Sequence, residues 1–155
     1  MRKEKMIAAK TKAGNYCAYQ ERTQQEVRDK LYRLGLYRDE VEQVLTELII
    51  ENFVNEERYA KTYARGKFHL KRWGKVKIEF ELKKKKISPF CIRQALKEID
   101  DDEYGRILNQ LIHQKLLSYT GNEFVVKHKI GRFLINKGYE AELVWACLND
   151  HSSSN

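Results

Sequence analysis

The chain has 155 residues and only one proline, Pro89. With so few obligatory helix breakers, turns must come from glycines and polar caps. Cysteine is equally sparse. Cys17, Cys91 and Cys147 are odd in number, far apart and without a C-x-x-C pair, which excludes a disulfide framework and a zinc knuckle. The four histidines, His69, His113, His128 and His151, show no ligand spacing to the cysteines or to one another. They read as surface imidazoles, and the cysteines as partly buried thiols. No metal and no cofactor are expected. No apolar run approaches the roughly 20 residues of a membrane span. The basic start of the chain has no apolar core of signal-peptide length. A cytoplasmic protein with no membrane partner is therefore expected. The sequence also lacks a glycine-rich phosphate loop and a recognisable Ser/His/Asp motif, so nothing in it supports an enzyme.

What the chain has in quantity is charge. Hydrophobic residues make up 42% and charged residues 34%, a mixture that suits a charge-covered helical protein. The formal net charge is +8. Residues 1–54 hold 10 Lys and Arg against 9 Asp and Glu, residues 55–100 hold 14 against 6, and residues 101–155 hold 6 against 7. The middle third supplies the whole excess, a local field that attracts nucleic acid or an acidic protein surface.

The second abundant feature is self-similarity. Val27, Leu31, Gly35, Leu36, Val41, Val44, Leu45 and Leu48 form an apolar and turn skeleton. Its counterparts are Ile78, Leu82, Lys86, Ile87, Ile92, Ala95, Leu96 and Ile99, then Ile130, Leu134, Gly138, Tyr139, Val144, Cys147 and Leu148. Val27 and Leu31 share one helical face, and Gly35 stands where a left-handed helix cap favours glycine. The apolar residues after it recur at three- and four-residue intervals, the stripe of a second amphipathic helix. Thr23 and Glu26 have capping-box spacing, and Ser88–Pro89 reads as an N-cap followed by a first-turn proline.

Each later copy has one more helix in front. Asn55 caps one carrying Tyr59, Tyr63 and Leu70 as an apolar stripe, and Asp101 or Asp102 starts one carrying Tyr104, Ile107, Leu108, Leu111 and Ile112. A shorter helix around Tyr16 to Glu21 would open the first copy. The expected fold is all-α, an elongated array of three tandem three-helix repeats, each burying its stripe against a neighbour. The expected organisation is a basic N-terminal tail over 1–13, repeats over 14–54, 55–100 and 101–150, and a polar tail over 151–155.

These residues resemble the RecX family. Arg58, Tyr59 and Ala60 match its Arg-aromatic-Ala trio, and Arg65 a following basic position. Gly74, Ile78, Glu81, Leu82 and Ile87 follow its Gly-x3-Ile-x2-Glu-Leu motif and the apolar residue after the turn, and Ala95 and Leu96 close that repeat. Arg132, Phe133, Leu134, Gly138 and Tyr139 match its Arg-Phe-Leu and Gly-aromatic pattern, and Thr23, Glu26, Val27, Leu31 and Gly35 its opening. The likeness runs from about residue 16 to 149. Lys86 departs from it at the turn glycine, and Asn55 at an acidic position. The resemblance implies a regulator that binds the RecA recombinase filament on single-stranded DNA and suppresses its strand-exchange, ATPase and co-protease activities.

Arg58, Lys61, Arg65 and Arg72 follow one another at spacings of three, four and seven, near one helical face. With Lys67, Lys71, Trp73, Lys75, Lys77 and Lys84 they form the candidate partner-binding set. Alternatives stay open at several positions. Arg58 could tie its helix to a carboxylate or a helix C-terminus. The run Lys83 to Lys86 reads as a partner contact or as a solvated face, since Glu79 and Lys83, and Glu81 and Lys85, are four apart. Trp73 reads as core packing or as a binding anchor; Trp145 reads as core. The acidic knot Asp100 to Glu103 suits a helix cap. The expected partner is the recombinase filament, with single-stranded DNA inside it, met by a monomer. The alternative is a direct nucleic-acid-binding helical module without the recombinase. The acids on the second helix of the outer helix pairs, Glu40, Glu42 and Glu47 and then Glu140 and Glu142, oppose entry into a DNA groove.

Overall fold

The computed structural model describes residues 1–153. Its elements are α1 (Arg2–Tyr19), α2 (Gln24–Arg33), α3 (Arg38–Ile50), α4 (Glu56–Lys71), α5 (Lys75–Lys84), α6 (Pro89–Leu96), α7 (Asp101–Ser118), α8 (Glu123–Asn136) and α9 (Ala141–Ser153). No strand occurs among the described residues, and the helices fall in threes, as the sequence pattern predicts.

Short polar side chains start α2, α4, α6, α7 and α8. The Thr23 hydroxyl accepts from Glu26 N at 3.0 Å while the Glu26 carboxylate accepts from Thr23 N at 3.3 Å, the reciprocal pair expected from their spacing. Asn55 Oδ1 accepts from Arg58 N at 2.9 Å at the start of α4. Ser88 Oγ accepts from Cys91 N at 3.3 Å, with Pro89 in the first turn of α6. Asp100 caps α7, accepting from Glu103 N at 2.9 Å. The remaining acids of that knot, Asp101, Asp102 and Glu103, fall in the first turn of α7, where they complement the helix dipole.

The repeat is plainest at the end of the second helix in each group. Leu36 N donates to Leu31 O at 3.3 Å, Ile87 N to Leu82 O at 3.2 Å, and Tyr139 N to Leu134 O at 3.1 Å. Such bonds satisfy the last carbonyls of a helix through a left-handed residue. That residue is Gly35 at φ +92°, Lys86 at φ +62° and Gly138 at φ +106°. The middle turn has therefore not adapted to its lysine: Lys86 takes the same left-handed conformation at a steric cost its glycine counterparts avoid. Leu31, Leu82 and Leu134 are all fully buried.

The chain divides into two compact units, Met1–Thr62 and a second that begins at Tyr63. The first is built on Ala9, Ala13, Cys17, Val27, Leu31, Leu36, Val41, Val44, Leu45, Leu48 and Val54. It corrects the reading of residues 1–13 as a tail and of the first helix as short. α1 is one helix of 18 residues, and Ala9, Ala13 and Cys17 are its buried stripe. Alanines four apart carry little hydrophobic signal, which is why the basic residues between them dominate the sequence. Those cations are partly absorbed by α3. Arg2 pairs with Glu40 and lies over the Tyr37 ring at 4.1 Å, and Lys10 Nζ reaches Glu51 at 2.9 Å and Glu47 at 3.4 Å.

In the second unit the buried side of α4 is Ala64 and Phe68, four apart. Leu70, expected on the apolar stripe, is 83% exposed, because two residues beyond Phe68 it lies on the other side of the helix. Trp145 is half-buried, and its ring fills the place of a side chain at Gly131, where an added Cβ would come within 2.4 Å of it. The C-terminal tail also needs correction: α9 continues through His151 to Ser153, with His151 Nε2 3.1 Å from Asn109 Oδ1. Residues 154–155 of that expected tail lie outside the described residues. No described helix is long and apolar enough to cross a membrane.

Candidate partner-binding surface

The corner between α4 and α5 brings several of the predicted residues together. Arg72 closes α4 in a left-handed conformation, φ +57°, and Trp73 N donates back to Lys67 O at 3.1 Å. Gly74 then starts α5, whose first N–H groups have no partner within their own helix. The turn after α8 supplies one. Gly74 N donates to Lys137 O and Val76 N to Gly138 O, both at 2.9 Å. This approach needs glycine on both sides. A Cβ on Gly74 would lie 2.2 Å from the Gly138 backbone, and one on Gly138 would lie 2.4 Å from Lys77 Cβ.

Aromatic side chains buttress this joint between the second and third repeats. The Phe68, Tyr104 and Tyr139 rings follow one another with centroids 5.8 and 5.1 Å apart. The Tyr104 hydroxyl accepts from Lys75 N at 3.0 Å and donates to the Glu140 carboxylate. The Tyr139 hydroxyl donates to Arg72 O at 3.0 Å. Burial, and then the bond to Glu140, pushes the Tyr104 phenol well above its ordinary pKa; burial raises Tyr139 to about 12. Both hydroxyls therefore stay protonated and donating throughout the neutral range.

Five cations gather around the joint. Lys67 Nζ and Lys77 Nζ stand 4.9 and 4.4 Å from the centre of the Trp73 ring. Lys115 Nζ and Lys137 Nζ stand 4.2 and 5.6 Å from the centre of the Phe133 ring. Arg72 lies at the turn itself. All five are half-buried. Among the described residues none of them forms an ion pair with a carboxylate. Burial lowers the Lys137 pKa, and repulsion from Lys77, Lys115 and Arg72 lowers it further. Half-buried charge without a counter-charge is expensive. The arrangement suits a ligand that brings negative charge, and the ring faces suit one with flat or apolar groups.

The other predicted residues lie elsewhere or have partners of their own. Arg58 donates to the Glu21 carboxylate and, through Nη2, to Asn52 O at 3.1 Å and Phe53 O at 3.3 Å. It is the structural tie to a carboxylate and a helix end that its sequence position allowed. Lys61 pairs with Glu57 at 3.1 Å, Arg65 with Glu98 at 3.8 Å, and Lys75 with Asp101 at 3.0 Å. In the lysine run, Lys83 pairs with Glu79 at 3.1 Å, as its spacing suggests. Glu81, however, is met by Lys84 at 3.5 Å, while Lys85 turns towards the Tyr63 ring at 5.7 Å. Lys71 is exposed. Of the predicted set, the joint therefore gathers Lys67, Arg72, Trp73 and Lys77. Sequence reading missed Lys115, Phe133 and Lys137. The available signal was that Lys137 precedes the turn glycine of a repeat, but the balanced charge of residues 101–155 concealed it.

Cys17 and Cys91 are buried thiols and Cys147 is half-buried. No group of three or more His, Cys, Asp or Glu able to hold a metal occurs among the described residues.

Fold and site together define an all-helical repeat protein with a basic joint between its second and third repeats. Its three repeats match, in chain order, the family descriptions "RecX, first three-helix domain" over residues 9–48, "RecX, second three-helix domain" over 55–96 and "RecX, third three-helix domain" over 101–148. The chain belongs to the RecX family. It is 29% identical over 148 residues to the protein named Regulatory protein RecX of Bacillus cereus (strain B4264), covering 95% of this chain and 55% of that one. The Regulatory protein RecX of Bacillus thuringiensis (strain Al Hakam) is 28% identical with the same coverage. The chain thus spans about half the length of these curated relatives. The crystal structure of RecX from Lactobacillus salivarius superimposes with a TM-score of 0.86 at 25% identity, covering 95% of this chain and 96% of that one.

Proposed function

We propose that this chain binds the RecA recombinase filament on single-stranded DNA and restrains its strand exchange, ATP hydrolysis and co-protease activities, acting in the cytoplasm as a monomer and without catalytic chemistry of its own. The observation that carries the reading is the corner at Trp73. There Lys67, Arg72 and Lys77 hold charge that no carboxylate among the described residues neutralises, in the stretch that supplies the whole net charge. Family membership supports a regulatory role. A helical array that contacts neighbouring recombinase subunits through this corner favours one filament state over another, and the restraint equals its difference in affinity for the two states.

Co-sedimentation tests the reading. The chain should pellet with recombinase filaments assembled on single-stranded DNA, and the triple variant Lys67→Glu, Lys71→Glu, Lys77→Glu should pellet far less. Three reversals in the first repeat, Lys30→Glu, Arg33→Glu and Arg38→Glu, change the net charge equally and should cost much less. Equal loss in both folded variants would replace a localised contact with diffuse attraction.

A further inference from the structure

The second repeat contributes Lys67, Arg72 and Lys77 to the joint, and the third contributes Lys115 and Lys137. Each repeat also supplies a ring with two ammonium groups against it, Trp73 in one and Phe133 in the other. Neither repeat holds the whole set. The glycine contact brings the two halves together, since Gly138 abuts Lys77 and Gly74 N bonds to Lys137 O. Like charges from two sides of one joint push it open, and an anion placed between them turns that repulsion into attraction. A carboxylate-bearing protein surface would supply single charges at irregular intervals. A single-stranded phosphodiester supplies regularly spaced charges, and its bases stack on aromatic ring faces such as the half-buried Trp73 and Phe133 offer.

We propose that the joint is a phosphate-binding seam, and that a single nucleic-acid strand laid along it locks the second repeat against the third. This deepens the reading of the corner at Trp73 by naming the ligand chemistry and its effect on the fold. The locking follows from linkage. A ligand that binds only the closed joint stabilises it by its binding free energy. The depressed pKa of Lys137 fits a seam that lacks its counter-charge.

The test uses the full chain, without recombinase, and a fluorescein-labelled oligothymidylate read by anisotropy over a series of salt concentrations. Each phosphate contact with a single strand contributes about −0.7 to the slope of log affinity against log salt. Lys77→Gln with Lys137→Gln should therefore flatten the slope by about 1.4 and weaken binding about tenfold or more at low salt. Lys83→Gln with Lys86→Gln, in the exposed lysine run, should leave binding within about twofold. The oligonucleotide should raise the thermal midpoint of the wild-type chain but not of the seam variant, and should quench tryptophan fluorescence in a manner lost in Trp73→Phe. Equal weakening by the two lysine pairs would overturn the seam. Displacement of the strand by pyrophosphate at equal phosphate concentration would assign the site to free phosphate and overturn the strand. Absence of oligonucleotide binding by a chain that still pellets with filaments would overturn this proposal and leave the recombinase reading standing, with an acidic protein surface as the ligand. Failure to pellet, with the strand still bound by the seam, would sink the recombinase reading and leave this one.

Discussion

The lysine run at the end of α5 and the joint between the second and third repeats are both basic, yet they differ in almost every physical respect. Lys83, Lys84, Lys85 and Lys86 are all exposed, and two of them have carboxylates one turn away. Exposed pairs of that kind contribute little and are screened by salt. The joint holds five cations, but they are half-buried, drawn from separated parts of the chain and without an ion pair among the described residues. A run that is conspicuous in sequence is thus the weaker candidate. The stronger one is assembled by tertiary contact from single lysines that look ordinary where they stand.

The most disruptive way to break this difference is Gly74→Ala. The added methyl collides with backbone rather than with a flexible side chain, so the joint must open. A loss of about 3 kcal/mol is expected in chemical denaturation, at the upper end of overpacking costs. The exposed run should be untouched, so a folded Gly74→Ala that keeps full filament binding would show that the joint is not the contact. Tyr104→Phe is a milder probe. It removes the hydroxyl that joins Lys75 N to Glu140, leaving an N–H of α5 without its partner, and should cost about 1–2 kcal/mol. A neutral result would mean that water replaces the phenol and that the joint is looser than its geometry implies. The smallest effect is expected in the run itself. Lys86→Gly relieves a left-handed lysine and should stabilise by about 0.5–1 kcal/mol, the relief of strain outweighing the entropy cost of glycine. No gain in the thermal midpoint would indicate that the lysine side chain compensates its strain through contacts.

Much of the fold was legible because the repeat skeleton is apolar and periodic. Leu31, Leu82 and Leu134 align by their spacing alone, and they are equivalent in burial and in the turn that follows. The first helix was misread because its stripe is alanine and cysteine, residues that bury little area each. The site was legible only in its second-repeat half. Lys67, Arg72, Trp73 and Lys77 lie within eleven residues of one another in a basic stretch, whereas Lys115 and Lys137 reach them only through the Gly74–Gly138 contact. Nothing in the local spacing of a lysine announces which turn of another repeat it will face. Arg58 shows the reverse case, a basic residue in a family motif whose side chain is taken up by Glu21 and two backbone carbonyls.

The central claim is that the joint, and not the run, is the face that meets the filament. The most direct measurement is recombinase ATP hydrolysis on single-stranded DNA, followed against increasing amounts of two variants matched in charge. One carries Lys67→Gln, Lys77→Gln, Lys115→Gln and Lys137→Gln, the other Lys83→Gln, Lys84→Gln, Lys85→Gln and Lys86→Gln. With both confirmed as folded by circular dichroism, the joint variant should need about tenfold or more of the wild-type concentration for half-inhibition, a loss expected when several complementary charges leave one interface. The run variant should stay within about threefold, as expected for screened surface charge. Equal loss in the two, or greater loss in the run variant, would contradict the account.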